Sequence, residues 1–210
     1  MPADTTDLIA LLGSRICHDL ISPLGAIGNG VELLTMTGAV PGPELALIAE
    51  SVTNANARIR FFRIAYGAAA PGQGVSRAEI RSILDDMTRG GRLKIDWEVA
   101  GDAARGEAKL AFLALQCLES ALPFGGRIRV ATDGGLWQIG AEAPKLKIEA
   151  PLWARLRAGT DSETGGGAGG GAGGEITAAQ VQFALFAAEL KRQDRSLTLR
   201  LGEHEIALRY

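Results

Sequence analysis

The sequence predicts an α+β protein: an N-terminal helical hairpin that forms a dimeric four-helix bundle, followed by an α/β sandwich. Three observations predict it. Apolar residues recur at steps of three and four from Leu8 to Tyr66. A stretch of Gly, Ala, Pro and Gln at 67–74 then interrupts them. Beyond it, helical and strand-like patterns mix to the end of the sequence. The expected domains are 1–68, a dimerisation hairpin, and 75–210, the sandwich.

The first helix is expected over 4–36. Leu8, Leu12, Ile16, Leu20, Leu24, Ile27, Val31 and Leu34 mark its apolar stripe, and Asp7 or Thr6 suits its N-cap. Two glycines and two prolines between Thr37 and Pro43 end it. A second helix runs from Pro43, a first-turn proline, to Tyr66. Its series Leu45, Ile48, Val52, Ala55, Ile59, Phe62 and Tyr66 is an unbroken seam of the bundle type. An antiparallel pair of helices cannot cover its own apolar stripe; two pairs together bury both. A homodimer through 4–66 follows.

In the second domain Ser76–Thr88 reads as a helix, with Ser76 and Glu79 spaced as a capping box. Leu93–Val99 alternates like a strand, and Glu107–Leu122 is a strongly apolar helix. Arg127–Thr132 and Leu136–Ala141 are strands joined by the Asp133-Gly134-Gly135 turn. Leu146–Glu149 is expected as a short strand and Pro151–Arg157 as a short helix. Residues 165–174 are all Gly or Ala and read as a loop. Ala178–Arg192 is a helix, and Ser196–Leu201 and Glu205–Arg209 are strands. The sum is a mainly antiparallel sheet with helices on one face.

Bulk chemistry excludes several functions. There are 22 Lys and Arg against 24 Asp and Glu, a balance that does not neutralise nucleic-acid phosphates. The apolar runs are too short to span a bilayer. Met1–Asp7 is polar and acidic, so no signal peptide is expected. Cys17 and Cys117, isolated on helices, read as buried thiols and not as a disulfide or metal framework. A cytoplasmic protein is expected.

His18 carries the candidate chemistry. At 100° per residue it points about 160° from the direction set by Ile16 and Leu20, and so faces solvent. A solvated imidazole is mostly neutral at cytoplasmic pH, and its free lone pair is a nucleophile for phosphorus. Asp19 follows; it either orients the ring as a base on its other proton or stabilises the charged phosphoimidazole. Pro23 sits inside a helix whose apolar pattern continues past it, at a cost of about 3 kcal/mol. It frees the Asp19 carbonyl and predicts a kink one turn after the histidine. Gly25, Ala26 and Gly28 keep the surface low for an approaching protein. The expected docking face comprises Ser14, Arg15, Ile21, Ser22, Gly25 and Asn29 on the first helix and Asn54, Arg58 and Phe61 on the second. Arg58, Arg60 and Arg63 read equally well as a solvated basic face.

His18-Asp19-Leu20-Ile21-Ser22-Pro23-Leu24 resembles the phospho-acceptor box of sensor histidine kinases, His-Glu/Asp-x-x-x-Pro. The string from Ser14 to Asn29 is still more similar to the ChpT-type histidine phosphotransferases of alphaproteobacteria. That resemblance implies a dimer whose C-terminal domain is a degenerate kinase ATPase domain that binds no ATP. The departures from a kinase agree with it. In Gln116-Cys117-Leu118-Glu119-Ser120-Ala121 neither Mg²⁺-holding asparagine of a kinase is present. No Asp-x-Gly-x-Gly string exists, and its expected place holds Glu142-Ala143-Pro144. The resemblance further implies that His18 shuttles a phosphoryl group between aspartates of receiver domains, those of a hybrid histidine kinase and of response regulators. The partner receiver would supply Mg²⁺, and the chain would need no cofactor or metal of its own. No nucleic acid and no membrane enter this reading. The rivals are a non-enzymatic dimeric scaffold that regulates a kinase without holding phosphate, and an active histidine kinase.

Overall fold

The computed structural model describes residues 21, 24, 25, 27–36, 43–158 and 180–210. The expected features at 1–20, Ser22, Pro23, Ala26 and 165–174 lie outside them. The chain divides into two compact units, Met1–Gly90 with Gly101–Lys109, and Gly91–Ala100 with Leu110–Tyr210. This division cuts elsewhere than the expected boundary at 68–75, because the third helix packs on the second.

In the first unit, residues 27–36 are helical (α1), and α2 spans Pro43–Tyr66, the bounds read from the sequence. A Cβ added at Gly28 would lie 3.3 Å from Val52 Cγ1. The glycine therefore lets α1 lie close against α2, whereas the sequence reading had it clear the way for another protein. β1 (Gly74–Val75) pairs antiparallel with β3 (Ala103–Ala104), a ladder too short to show as alternation. α3 (Arg77–Thr88) starts at the Ser76 cap, whose hydroxyl accepts from Glu79 N at 3.1 Å. Only half of the expected capping box forms, because the Glu79 carboxylate accepts from Arg63 at 3.0 Å instead. Ile80, Ile83, Leu84 and Met87 of α3 are buried, as are Ala57, Phe61, Ile64 and Ala65 of α2. Polar links hold the unit as well. Asn54 Nδ2 donates to Met87 O at 3.3 Å, and Asp102 accepts from Arg77 N at 2.9 Å. The Arg105 guanidinium donates to Ile64 O at 2.7 Å and to Arg63 O. A cation there satisfies the last carbonyls of α2 and faces the negative end of its dipole.

α4 (Arg105–Ala121) runs from the first unit into the second. The second unit is built on a five-stranded sheet, ordered β2 (Leu93–Trp97), β4 (Gly126–Asp133), β5 (Leu136–Glu142), β7 (Glu205–Arg209) and β6 (Thr198–Leu201). β2 pairs parallel with β4; every other pairing is antiparallel. Asp133 pairs with Leu136, so Gly134 and Gly135 form a two-residue turn, with φ of 57° and 82°. Two consecutive positive φ angles mark a type I′ turn; the sequence predicted the hairpin with Asp133 in its turn, and the structure places Asp133 in the ladder.

One face of the sheet is the core. Ile128, Val130, Trp137, Ile139, Ala141, Ile206 and Leu208 alternate inward and are buried, and Leu110–Leu115 of α4 are each 1% exposed or less. A fully buried Leu contributes about 1.5–3 kcal/mol relative to exposure. Rings tie the layers: Trp97 to Phe112 at 6.4 Å and Phe186 of α6 (Val181–Arg192) to Tyr210 at 5.8 Å. α5 (Ala150–Ala158) packs on α6 through Trp153 and Phe183, 5.2 Å apart. The helices thus cover one side of a mixed sheet, and the α/β sandwich is the observed architecture. The expected strand Leu146–Glu149 is not one: the segment is irregular. Lys147 N donates to Ala121 O at 2.9 Å and Glu149 accepts from Gln180 at 3.2 Å, but the segment joins no strand of the sheet. Among the described residues no helix is long and apolar enough to cross a membrane.

Candidate functional site

The candidate site is the helical hairpin, and the structure describes part of it. Ser14, Arg15, His18, Asp19 and Ser22 lie outside the described residues. Ile21 and Gly25 are helical and half-buried, and nothing stands within 4 Å of a Cβ added at Gly25. Asn29 is helical and exposed.

The residues expected on α2 separate into two groups. Arg58 is half-buried. Asn54 is also half-buried, and its amide is engaged with the Met87 carbonyl at the end of α3. Phe61 is 1% exposed, packed in the interior with its ring 6.3 Å from Phe62 in an edge-on contact. As described, Phe61 is a core residue of the hairpin unit and not a docking residue. A sequence signal locates this second apolar face: Ala57, Phe61 and Ile64 stand at steps of four and three, beside the seam that contains Ile59 and Phe62.

The arginines of α2 have local partners. Arg63 meets Glu79 at 3.0 Å, and Arg60 lies 3.4 Å from Ser82 Oγ and 3.9 Å from Asp86. Exposed pairs of this kind are worth about 0–1 kcal/mol each. Their main effect is to fix the register of α3 against α2 and to take two arginines out of a uniformly basic face.

Apolar side chains remain uncovered on the hairpin. Ile27 is 52% exposed, Met36 76% and Ile48 45%. All three belong to the two helices whose seam the sequence assigns to a second copy.

In the second unit, the stretch of α4 that would carry a kinase's metal ligands holds Gln116 through Ala121. Cys117 is fully buried there, and burial pushes its thiol well above the usual range. It is an inert thiol. Ser120 Oγ donates back to the Cys117 carbonyl at 2.6 Å. Among the described residues no group of three or more His, Cys, Asp or Glu is placed to hold a metal ion. His204, the other histidine of the sequence, stands in the turn between β6 and β7. Its side chain is 64% exposed and lies 3.8 Å from Glu203.

This fold, a helical hairpin leading into an α/β sandwich, is that of a bacterial phosphotransferase. The solved structure described as a bacterial phosphotransferase matches with a TM-score of 0.65 and 27% identity, over 100% of this chain and 98% of that one. The family model for the histidine phosphotransferase C-terminal domain matches residues 77–205. The chain belongs to that family. The protein phosphotransferase ChpT of Brucella abortus (strain 2308) is 41% identical over 130 residues, 61% of this chain and 62% of that relative. The alignment thus spans less than two thirds of the curated protein.

Proposed function

We propose that this protein is a histidine phosphotransferase of a multistep phosphorelay that carries the phosphoryl group on His18. The observation that carries the reading is the pairing of a family-defining C-terminal domain with a His-Asp-x-x-x-Pro box at His18–Pro23. The alternative histidine, His204, sits in an exposed hairpin turn, and among the described residues its charged neighbour is Glu203.

The cycle has two half-reactions. A receiver domain bearing phospho-aspartate docks on the hairpin, and the free ring nitrogen of neutral His18 attacks phosphorus in line. The N–P bond forms as the P–O bond to the aspartate breaks, and the electron pair leaves with the carboxylate. A second receiver docks on the same surface and the reverse displacement moves the phosphoryl group to its aspartate. Such transfer is mostly positioning and charge neutralisation. The receiver supplies Mg²⁺; this chain supplies the nucleophile, Asp19 beside it, and a docking face that includes Ser14, Arg15, Ile21, Ser22, Gly25, Asn29 and Arg58. The donor is the receiver of a hybrid histidine kinase and the acceptors are response regulators, in the cytoplasm. A second copy covers Ile27, Met36 and Ile48, completing a four-helix bundle.

The test mixes the purified protein with a phosphorylated receiver and Mg²⁺, without ATP, and follows labelled phosphate. The wild type is expected to take up acid-labile, alkali-stable label, and His18→Gln to take up none. No label from any of several receivers would sink the reading. ATP hydrolysis by the protein alone would then favour a kinase, and its absence a scaffold.

A further inference from the structure

Helix α3 belongs to one domain by sequence and to another by packing. The family model for the C-terminal domain opens at its first residue, Arg77, yet α3 lies in the compact unit of the hairpin. It runs antiparallel to α2: Glu79 meets Arg63 at one end, and the Met87 carbonyl accepts from Asn54 near the other. Ile80, Ile83, Leu84 and Met87 are its buried side. The start of the C-terminal domain is thus part of the surface that the hairpin presents.

The two edges of the α2–α3 contact differ. On one edge Arg60 and Arg63 meet Ser82, Asp86 and Glu79, so these charges are satisfied within the chain. At 100° per residue Asn54 and Arg58 fall on the other edge of α2, and Arg81 and Asp85 on the other edge of α3. Antiparallel packing brings those two edges together. Arg81 and Asp85 are exposed, and among the described residues neither side chain has an ion-pair or hydrogen-bond partner. They also stand at the level of the docking residues on α1. Gly28 lies against Val52, and an antiparallel count from there sets Ile21 and Gly25 near Ile59 and Ala55. The same count from the Asn54–Met87 bond sets Arg81 and Asp85 near Arg60 and Asn56.

We infer that Arg81 and Asp85 extend the receiver-docking face, so that a receiver seated on the hairpin also touches the exposed edge of α3 and is selected there by its own charges. This rests on the phosphotransfer reading and names a further part of its docking surface. A standard protein contact covers roughly 800 Å² on each side, more than Ile21, Gly25, Asn29 and Arg58 supply, and the α3 edge continues that surface. A second copy is not the occupant. The seam assigned to it includes Ile48, nine residues and so about 180° around α2 from Ala57, which faces α3; dimerisation leaves the α3 edge open. Two unspent charges of opposite sign, one helical turn apart, set encounter rate and partner choice more than affinity.

The test is transfer of labelled phosphate from a phosphorylated receiver, with Mg²⁺, to the full chain, set beside labelling by phosphoramidate, a donor too small to need docking. Arg81→Glu and Asp85→Arg are each expected to slow receiver-driven transfer by about tenfold at low salt, less at high salt, and to leave phosphoramidate labelling at the wild-type rate. Arg200→Glu, the same charge reversal on exposed β6, is expected to change neither rate. Receiver-driven rates equal to wild type in both α3 variants would overturn the inference. So would equal slowing by Arg200→Glu, which marks bulk charge, or equal slowing with phosphoramidate, which marks damage to the hairpin. A wild type labelled by phosphoramidate but by no receiver sinks the phosphorelay reading, and this inference with it; a wild type labelled by the receiver, with unaltered variants, sinks this inference alone.

Discussion

Helices α1 and α4 are written in similarly apolar residues and end in opposite surroundings. In α4, Leu110, Leu113 and Leu118 are fully buried among sheet and helices. In α1, Ile27 and Met36 are more than half exposed. The two units differ in the same way. The sandwich is held by a large apolar interior with Phe112, Phe183 and Phe186 fully enclosed. The hairpin unit relies on a smaller interior between α2 and α3, fastened by the Ser76 cap and the Asn54 and Arg105 hydrogen bonds. Apolar periodicity says that a helix will be covered; it does not say by what. For α4 the cover is this chain, and for α1 the proposed cover is another copy of it.

Mutations at the two kinds of site break this contrast in different ways. Leu113→Ala in α4 empties a closed interior and is expected to cost about 2.7–5 kcal/mol, read as a fall in the denaturation midpoint. A loss below about 1 kcal/mol would mean that the α4 core is far looser than its burial indicates. Ile27→Glu with Ile48→Glu should act on association instead. Light scattering is expected to report the monomer mass, with the melting of the sandwich unchanged. A dimer that survives both charges would place the interface elsewhere. Ser76→Ala removes one cap from the hairpin unit and is expected to cost about 1 kcal/mol in urea unfolding. An effect near zero would show that the Arg63–Glu79 pair and the helix contacts hold α3 without it.

Much of this arrangement was legible in the residues. Pro43 and Tyr66 bound α2 because a first-turn proline and a glycine-led break frame an uninterrupted period. The Gly-Gly turn fixed the β4–β5 register because only a tight hairpin uses two such residues between alternating strands. Other features depend on tertiary placement. Phe61 reads as a surface neighbour of the seam until α3 is known to pack there. Leu146–Glu149 alternates like a strand, but strand formation needs a partner edge, which no local pattern supplies. The β1–β3 ladder is two residues long and carries no periodic signal. Of the candidate site, the His18 box was legible as a motif. The engagement of Asn54 and the pairing of Arg60 and Arg63 with α3 were not, because side-chain partners far apart in sequence leave no local trace.

The parallel pairing of β2 with β4 has a kinetic consequence. The β4–β5 hairpin closes over two residues and can form early, in microseconds. β2 meets β4 only after the whole α4 crossover has folded back, since Leu93 pairs with Gly126. Closing that long loop costs entropy before any strand contact offsets it. Pulse-labelled hydrogen exchange during refolding should therefore find the amides of Ile139 and Ala141 protected before those of Ile95 and Trp97; simultaneous protection would mean that the sheet assembles in one step around a preformed α4. The edge strand that enters the fold first in sequence is thus the one that joins the sheet late in time.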